Sequence, residues 1–242
     1  MASPSVEDYI KAIYKAQADA ETVTTQDIAG RVQVSAPAVS KMLKRLTELR
    51  LIEHTPYQGV RLTPAGEKMA LEIIRHHRLL ELYLVQALGY SWDEVHEEAE
   101  RLEHHISEEF EARIDALLGH PTACPHGDPI PTREGVVATV ASHALTEQRT
   151  PAQLTIRRVR DTDSGLLRHL KQLGLLPGTA IEFLEQEPYG GAFVLRVGGD
   201  IVRVAPQAAQ QIFVGAAQEN LQHETNPNDG VLPEIPLKRN SP

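Results

Sequence analysis

The spacing of apolar residues changes once along this chain, and the change divides it into a helical part and a β part. In the N-terminal part apolar side chains recur three or four positions apart, as Val6 and Ile10 do, which is the period of an amphipathic helix. From residue 153 the period becomes two, as Leu154 and Ile156 illustrate, which is typical of strands. We therefore expect a mainly α protein with a small β domain.

Composition narrows the class of protein further. The 242 residues are 41% hydrophobic and 24% charged, which suits a folded chain of one or two domains. The single cysteine, Cys124, excludes a disulfide framework and a multi-cysteine zinc site. The N-terminus has no basic and apolar leader, and no apolar run is long enough to span a bilayer. We expect a cytoplasmic protein that does not enter membranes.

The first 62 residues have the pattern of a winged helix-turn-helix. The pattern predicts a helix over 5–18, a second from Thr24 or Thr25 to about Val32, a third capped by Ser35, and two short strands within 51–62. In the first helix, Ser5 is the predicted N-cap and Asp8 the acidic partner of a capping box. In a winged helix-turn-helix the third of these helices enters the DNA major groove.

Residues 35–50 have a local net charge of +3, which suits DNA phosphates and guanine edges. The predicted DNA contacts lie at the start of the third helix, on its basic side and in the wing: Ser35, Pro37, Ala38, Ser40, Lys41, Lys44, Arg45, Tyr57 and Arg61. The alternative is an ordinary helical bundle with one exposed basic helix.

The acidic charge is concentrated in one segment. The whole chain has a formal net charge of −9, and residues 76–140 alone hold 13 acidic residues, 4 basic residues and 7 of the 11 histidines. Carboxylates and imidazoles concentrated together suggest ligands for a divalent metal ion. A solvated acidic helix face is the alternative, because it is the usual meaning of a charge run.

Two predicted helices place these groups on matching faces. The segment 92–118 is predicted as one helix, on which four side chains share a stripe about 100° wide beside the apolar face: His96, Glu100, Glu103 and His104. His77 and Glu81 form an i,i+4 pair on the preceding helix, predicted over 64–87. If the two helices are antiparallel, the six groups can converge on a metal such as Mn²⁺ or Fe²⁺.

The remaining segments complete the predicted organisation. Residues 120–135 are rich in proline and glycine and are predicted as a loop, followed by a short helix within 136–146. The β domain contains one inserted helix over 164–173. The domain assignment is 1–72 for the winged helix, 73–141 for the helical domain, 142–152 for a linker, 153–217 for the β domain and 218–242 for a disordered tail.

Several segments together resemble the diphtheria toxin repressor family, in its manganese transport regulator branch. The resemblance covers about 1–217, and its motifs are VEDYIKAIY, VSAPAVSKMLKRL, LTPAGE, HHRLLELYL, VHEEAERLEHHIS and CPHGDPIP. The family fold implies an N-terminal winged helix, a helical domain for dimerisation and metal binding, and a C-terminal SH3-like β-barrel. The segment 153–217, with its LGLLPGT stretch, is similar to that third domain.

The resemblance also implies two metal sites. A primary regulatory site would use Asp8, Glu100, Glu103 and His104, and an ancillary site would use His77, Glu81 and His96. The SH3-like domain would add Asp163 or, as the second choice, Asp161. The iron branch has methionine in place of Asp8 and cysteine in place of Glu100, so hard oxygen replaces soft sulfur here, which favours Mn(II) over Fe(II). Co(II), Zn(II) or Cd(II) would substitute in vitro.

One position departs from the family pattern. The compact manganese regulators have a glutamate that bridges two ions where this chain has Lys11. Its replacement predicts two separated sites rather than a closely coupled pair of ions.

The function that the resemblance implies is metal-dependent repression of metal uptake genes by a homodimer on palindromic double-stranded DNA, without enzymatic activity. Three other functions stay open: a metal-independent winged-helix regulator, a metal-dependent hydrolase, and an interaction module. The peptide His96-Glu97-Glu98-Ala99-Glu100 lacks the second histidine of a zincin motif, which argues against protease chemistry. Cys124 and His126 could form a thiol site, but two nearby prolines and Gly127 favour a turn.

Overall fold

A computed structural model describes residues 4–20, 22–55, 59–161 and 163–217 of the chain. It consists of an N-terminal helical unit with a β-hairpin, a second helical unit, and a C-terminal antiparallel sheet. This is the predicted fold class. Within the described ranges, no helix is both long and apolar enough to cross a membrane. Tyr57 and the predicted tail, 218–242, lie outside the described residues.

The N-terminal unit has the order of elements predicted for a winged helix-turn-helix. Its elements are α1 (Pro4–Asp19), α2 (Thr25–Val32), α3 (Ala36–Glu48), β1 (Ile52–Thr55) and β2 (Gly59–Leu62). A capping box starts α2: Thr24 Oγ1 accepts from the backbone N–H of Asp27, and the Asp27 carboxylate accepts from the backbone N–H of Thr24. The two strands pair antiparallel, with Ile52 opposite Leu62.

The predicted capping box at Ser5 is wrong. The helix begins one residue earlier, at Pro4, a residue whose fixed φ favours the first turn. Ser5 therefore lies inside the helix, and the Asp8 side chain is free to contact the second helical unit instead.

The second unit is built on one long helix and two short ones. Its elements are α4 (Pro64–Leu88), α5 (Val95–Leu102) and α6 (Glu108–Leu117). The single helix predicted over 92–118 is therefore interrupted at residues 103–107. Ser107 explains the restart, because its side chain accepts from the backbone N–H of Phe110 and caps α6. Glu103 and His104 consequently lie in a turn rather than on a helix face.

The C-terminal unit is a six-stranded sheet with strand order β3-β8-β4-β5-β6-β7, in which each neighbouring pair is antiparallel. Its elements are β3 (His143–Ala144), β4 (Ala152–Val159), α7 (Ser164–Gln172), β5 (Ala180–Gln186), β6 (Phe193–Val197), β7 (Asp200–Val204), α8 (Pro206–Ala209) and β8 (Ile212–Ala216). The inserted helix predicted over 164–173 corresponds to α7. The two-residue turn of the β6–β7 hairpin is Gly198-Gly199, both with positive φ, as such turns require.

The segment before this sheet differs from the prediction. No helix of the predicted length occupies 136–146 in the described chain; the regular structure there is β3 and a 3₁₀ turn at Leu145–Glu147. Because β3 pairs with β8, part of the segment assigned to a linker, 142–152, belongs to the sheet. The domain boundaries otherwise remain predictions.

The β unit is held against the second helical unit at the loop that follows α6. Trp92 packs into the apolar core of the β unit, and its Nε1 donates to the Pro125 carbonyl at 2.9 Å. The backbone N–H of Val159 donates to the His126 carbonyl at 2.9 Å. An added Cβ at Gly127 would lie 2.1 Å from the Arg157 carbonyl oxygen, so only glycine permits this approach. The contact brings the end of β4 close to α4.

A buried ion pair joins α4 to α6. Arg75 Nε donates to Glu111 at 2.6 Å, and His76 Nε2 lies 3.2 Å from the other carboxylate oxygen of Glu111. Burial alone would raise the pKa of Glu111, but His76 and Arg75 lower it to about 2. Glu111 is therefore ionised in the folded protein at neutral pH.

We predict that Glu111→Gln destabilises the protein by about 2 kcal/mol at neutral pH, because Arg75 and His76 lose a buried carboxylate and Asp115, at 3.2 Å, is the acidic partner that Arg75 keeps. In the unfolded chain the pKa of a glutamate is about 4.3. The difference in free energy of unfolding between the wild type and the variant should therefore be largest above that pH and should shrink as the pH falls toward 2. Denaturant unfolding of both proteins at several pH values measures it.

Glu109→Gln is the matched control, since Glu109 pairs with Arg113 on the exposed side of the same helix. It should leave the unfolding midpoint nearly unchanged. Equal stability of Glu111→Gln and the wild type at pH 7 would contradict the prediction.

Candidate metal centre

A first set of donor atoms joins α1 to the turn after α5. His104 Nε2 lies 2.8 Å from Asp8 Oδ1 and 3.5 Å from Glu103 Oε1. On the other side of the ring, Nδ1 lies 2.7 Å from Glu7 Oε2. Glu7 thus orients the imidazole so that Nε2 faces Asp8 and Glu103, as carboxylates behind metal-bound histidines do. Sequence reasoning missed Glu7.

A second set shares Glu103 with the first. His77 Nδ1 lies 2.6 Å from Glu103 Oε2 and 3.5 Å from Glu100 Oε2. The ammonium group of Lys11 donates to both carboxylates, at 2.8 Å to Glu100 and in closer contact with Glu103. Burial alone would lower the pKa of Lys11, but Glu103 and Glu100 raise it above its usual value.

A third set lies one helical turn further along α4. Glu81 Oε1 lies 3.1 Å from His77 Nε2 and 3.3 Å from His96 Nδ1. The same nitrogen of His96 lies 3.2 Å from Asp161 Oδ2, and Asp161 lies two residues after the end of β4. The β unit therefore contributes a carboxylate to a cluster that is otherwise built on α4 and α5.

Two residues of the loop after α6 complete this third set. Cys124 and His126 each offer a donor atom close to Glu81, with the three atoms within 4.8 Å of one another. The loop forms the predicted turn, since the Gly127 N–H donates to the Cys124 carbonyl, but the turn also directs both side chains inward. The sequence favoured a turn over a thiol site at this pair. The separation of Cys124 and His126 by one residue is the only sequence signal that could have identified them as candidate donors.

Burial and charge shift the pKa values of these groups in opposite directions. Burial would lower the pKa of His96, but Asp161 and Glu81 raise it to about 10. Burial would likewise raise the pKa of Glu81, yet His77 and His126 hold it well below its usual range. Burial raises the pKa of the Cys124 thiol well above its usual value, and Glu81 adds to the effect. The thiol is therefore protonated until a cation offsets that environment.

The donor atoms present fit a divalent metal ion. Carboxylate oxygens, imidazole nitrogens and one thiol converge in groups whose atoms lie within 4.8 Å of one another. Within the described ranges, Glu81 Oε2 and His126 Nδ1 are the only buried side-chain polar atoms that lack a well-formed hydrogen bond, although His126 Nδ1 faces Glu81 Oε1 at 3.4 Å. Buried polar groups normally have partners, so these two atoms mark a place where a ligand is expected.

Seven of the eight predicted metal ligands lie in this connected cluster: Asp8, His77, Glu81, His96, Glu100, Glu103 and His104. The eighth, Asp163, lies elsewhere, because its side chain caps α7 by accepting from the backbone N–H of Leu166 at 3.0 Å. Asp161, the second choice, occupies the position beside His96. The role of the seven as ligands remains a prediction.

The predicted DNA contacts are exposed. The described members of the set are Ser35, Pro37, Ala38, Ser40, Lys41, Lys44, Arg45 and Arg61. Ser40 Oγ donates to the Ala36 carbonyl, so its hydroxyl is engaged with the helix backbone. Among the described residues Lys41, Lys44 and Arg45 have no ion-pair partner, and their charges are available to an anionic partner.

The fold and the cluster together define a winged-helix protein whose second unit is equipped to bind divalent metal. Three family models match it: the N-terminal DNA-binding domain of iron-dependent repressors at residues 1–60, their metal-binding and dimerisation domain at 63–132, and the FeoA domain at 143–216. The chain belongs to the diphtheria toxin repressor family of metal-dependent repressors. Its relatives are named as repressors or transcriptional regulators.

Relatives named for iron and a solved relative named for manganese are both similar to this chain. The iron-dependent repressor IdeR of Mycobacterium tuberculosis is 31% identical over 87% of this chain and 96% of its own length. The transcriptional regulator MntR of Salmonella typhimurium is 40% identical over 47% of this chain and 69% of its own. A solved manganese-dependent transcriptional repressor in complex with manganese is 38% identical, with a TM-score of 0.82 over 88% of this chain and all of that one.

We predict that Asp161→Ala lowers the affinity for an ion at the third donor set by about 10- to 100-fold, because His96 loses one of its two carboxylate partners. Isothermal titration with Mn(II) measures the change. Asp163→Ala is the matched control, since it removes the α7 cap at a cost of about 1 kcal/mol and should leave metal affinity intact. The reverse ranking of the two variants would contradict this assignment.

Proposed function

We propose that this chain is a homodimeric, Mn(II)-responsive repressor that binds palindromic operator DNA at metal uptake genes when metal is abundant. The proposal depends chiefly on one observation: Asp8 in α1 meets His104 and Glu103 of the second helical unit. An ion held by all three would join the DNA-binding unit to the unit that dimerises.

Metal binding would act by fixing the orientation of the DNA-binding unit relative to the second helical unit. Half-sites of a palindrome lie about 34–36 Å apart, so the two recognition helices of a dimer must be held at that spacing. A metal that bridges the two units favours the arrangement in which α3 of each protomer fits its half-site. Metal and DNA are then coupled through one conformational equilibrium, in which each raises the affinity for the other.

The ligands divide between two sites in this proposal. The primary site uses Asp8, Glu103 and His104, with Glu100 as its neighbour. The ancillary site uses residues from α4, α5, the loop after α6 and the end of β4: His77, Glu81, His96, Cys124, His126 and Asp161. Asp161 replaces the predicted Asp163.

The hard donors of the primary site favour Mn(II). The manganese complex of a similar repressor supports this choice, and the mycobacterial relative named as iron-dependent keeps Fe(II) as the alternative. Cys124 adds a soft donor to the ancillary site, where Zn(II), Cd(II) or Co(II) would also bind in vitro. Structures of the relative ScaR with Zn²⁺ and with Cd²⁺ support that expectation.

The DNA-binding surface consists of α3 and the wing. Its exposed cations would contact phosphates and its first turn would face base edges. A protein that regulates chromosomal genes in bacteria acts in the cytoplasm, which is the location we propose.

We predict that Asp8→Ala loses most of the Mn(II)-dependent gain in operator affinity, a gain of about 5- to 150-fold for a coupling of typical strength. The variant keeps the DNA-binding surface but loses the ligand that α1 contributes. Fluorescence anisotropy with a duplex selected from random DNA by the Mn(II)-loaded wild type measures it, with and without a chelator.

Asp200→Ala, on the β6–β7 hairpin, is the control and should respond to Mn(II) as the wild type does. Operator binding by Asp8→Ala that still rises with Mn(II) as in the wild type would refute the bridging mechanism. If neither Mn(II) nor the chelator changes the operator affinity of the wild type, the result would instead favour a metal-independent regulator.

We predict that Lys44→Ala weakens binding to all DNA sequences alike and lowers the slope of log affinity against log salt concentration by about 1, since one phosphate contact is lost. Lys171→Ala, on α7, is the matched control and should leave the slope unchanged. A salt titration of operator and random duplexes measures both. An unchanged slope in Lys44→Ala would remove this residue from the DNA-binding surface.

A further inference from the structure

The last turn of α1 has an acidic side chain that contacts two other parts of the chain. Asp19 Oδ2 accepts from Nη2 of Arg31 in α2 at 2.6 Å, and Asp19 Oδ1 lies 3.7 Å from Nη2 of Arg160, directly after β4. A carboxylate at the C-terminal end of a helix is unfavourable for the helix dipole. The two guanidinium groups offset that cost, and one of them belongs to the β unit.

The backbone of the β unit fixes the position of Arg160. Its N–H donates to the Gln211 carbonyl at 2.9 Å. On one side the N–H of Val159 donates to the loop after α6, and on the other side Asp161 contacts His96 of α5. The β unit is therefore joined to the second helical unit on both sides of Arg160, while the Arg160 side chain extends to the DNA-binding unit.

Charges on α1 and at the end of β4 are complementary at this place. Lys15, one turn before Asp19, and Asp161, next to Arg160, line the same cleft of about 400 Å³. Burial alone would raise the pKa of Asp161, but His96 and Lys15 lower it. An acidic residue of α1 thus meets a basic residue of the β unit, and a basic residue of α1 lies near an acidic one. Two complementary pairs one helical turn apart favour a specific docking arrangement over a chance contact.

We propose that Arg160 and Asp19 form a docking contact by which the β unit holds the DNA-binding unit in the arrangement in which α1 meets the primary donor set. The inference builds on the proposed function, because that arrangement is the one that metal would favour. Asp19 also pairs with Arg31 of α2, the helix that precedes the recognition helix α3, so the contact affects the orientation of α3. Arg160 is thus a positioning residue for the DNA-binding surface.

The expected effect is moderate, because the pair is partly exposed. The side chains of Arg160 and Asp19 are 45% and 41% exposed, and such pairs are weak and screened by salt. Without metal the docked arrangement is the minor one in the proposed function, so loss of the contact should lower operator affinity by about two- to fivefold. With saturating Mn(II) the docked arrangement already predominates, and the loss should be smaller.

A distance measurement on the full-length protein tests the contact without metal or DNA. Spin labels on Glu48→Cys in α3 and Lys171→Cys in α7 report the position of the DNA-binding unit relative to the β unit. Cys124 is buried and does not compete for the label. Labelled chains are diluted with unlabelled chains so that each distance lies within one protomer. Pulsed electron paramagnetic resonance should give a broader distance distribution with Arg160→Gln than without it.

Operator binding tests the consequence for DNA. Fluorescence anisotropy in the presence of a chelator should show an affinity that is about two- to fivefold weaker for Arg160→Gln. Because Arg160 acts through Asp19, adding Arg160→Gln to Asp19→Asn should cause no further loss. Arg203→Gln is the matched control, since Arg203 forms an exposed ion pair with Glu187 in the β unit, and it should match the wild type in both measurements. Circular dichroism establishes that each variant is folded.

The outcomes separate this inference from the proposed function. An unchanged distance distribution or an unchanged metal-free affinity in Arg160→Gln overturns the inference, and so does a full additional loss when Arg160→Gln is combined with Asp19→Asn. If Mn(II) does not raise the operator affinity of the wild type, the proposed function fails, whereas the distance distributions still decide whether the contact holds the DNA-binding unit.

Discussion

The buried carboxylate of Glu103 is the point on which the rest of this structure depends. It is fully buried, and a buried carboxylate costs several kcal/mol unless it is paired. Its partners come from two units: Lys11 from α1, and His77 and His104 from the second helical unit. Because the Lys11 contact crosses between the units, the way in which the charge of Glu103 is satisfied bears on how α1 packs against the second helical unit. In the proposed function, a change of cation at this carboxylate would alter the orientation of the DNA-binding unit.

The β unit has a comparable role at the other end of the cluster. Gly127 allows the loop after α6 to approach the backbone of β4, and Asp161 then comes into contact with His96. The cluster is consequently enclosed by all three units rather than by the helical unit alone. The loop that carries Cys124 and His126 has two functions: it joins the helical unit to the sheet, and it directs a thiol and an imidazole toward Glu81.

The sequence predicted the features that depend on neighbouring residues, namely the helices, the strands and their order. Helical periodicity, the helix start predicted at Thr24 or Thr25 and the change of period near residue 153 predicted the three units in the correct order. Spacing also placed six of the predicted ligands in one connected cluster, and the family resemblance added Asp8. The wrong predictions concern residues whose contacts depend on segments that are distant in the sequence. Asp161 and Asp163 are equivalent by spacing, and only the path of the chain after β4 selects Asp161. The break between α5 and α6 depends on the Ser107 cap, and the helix-wheel argument reached the correct groups although Glu103 and His104 lie in a turn.

The net charge of −9 is less informative than the distribution of the charged residues along the chain. The deficit lies in residues 76–140, whereas residues 1–75 have 10 basic and 9 acidic residues and a net charge of +1. Several acidic residues of the negative segment belong to the donor cluster, so each divalent ion bound there would cancel two charges of the unit that packs against the DNA-binding unit. In the proposed function, metal would therefore act in two ways that reinforce each other. It would fix α1 to the second helical unit through Asp8, and it would reduce the repulsion between that unit and the DNA phosphates.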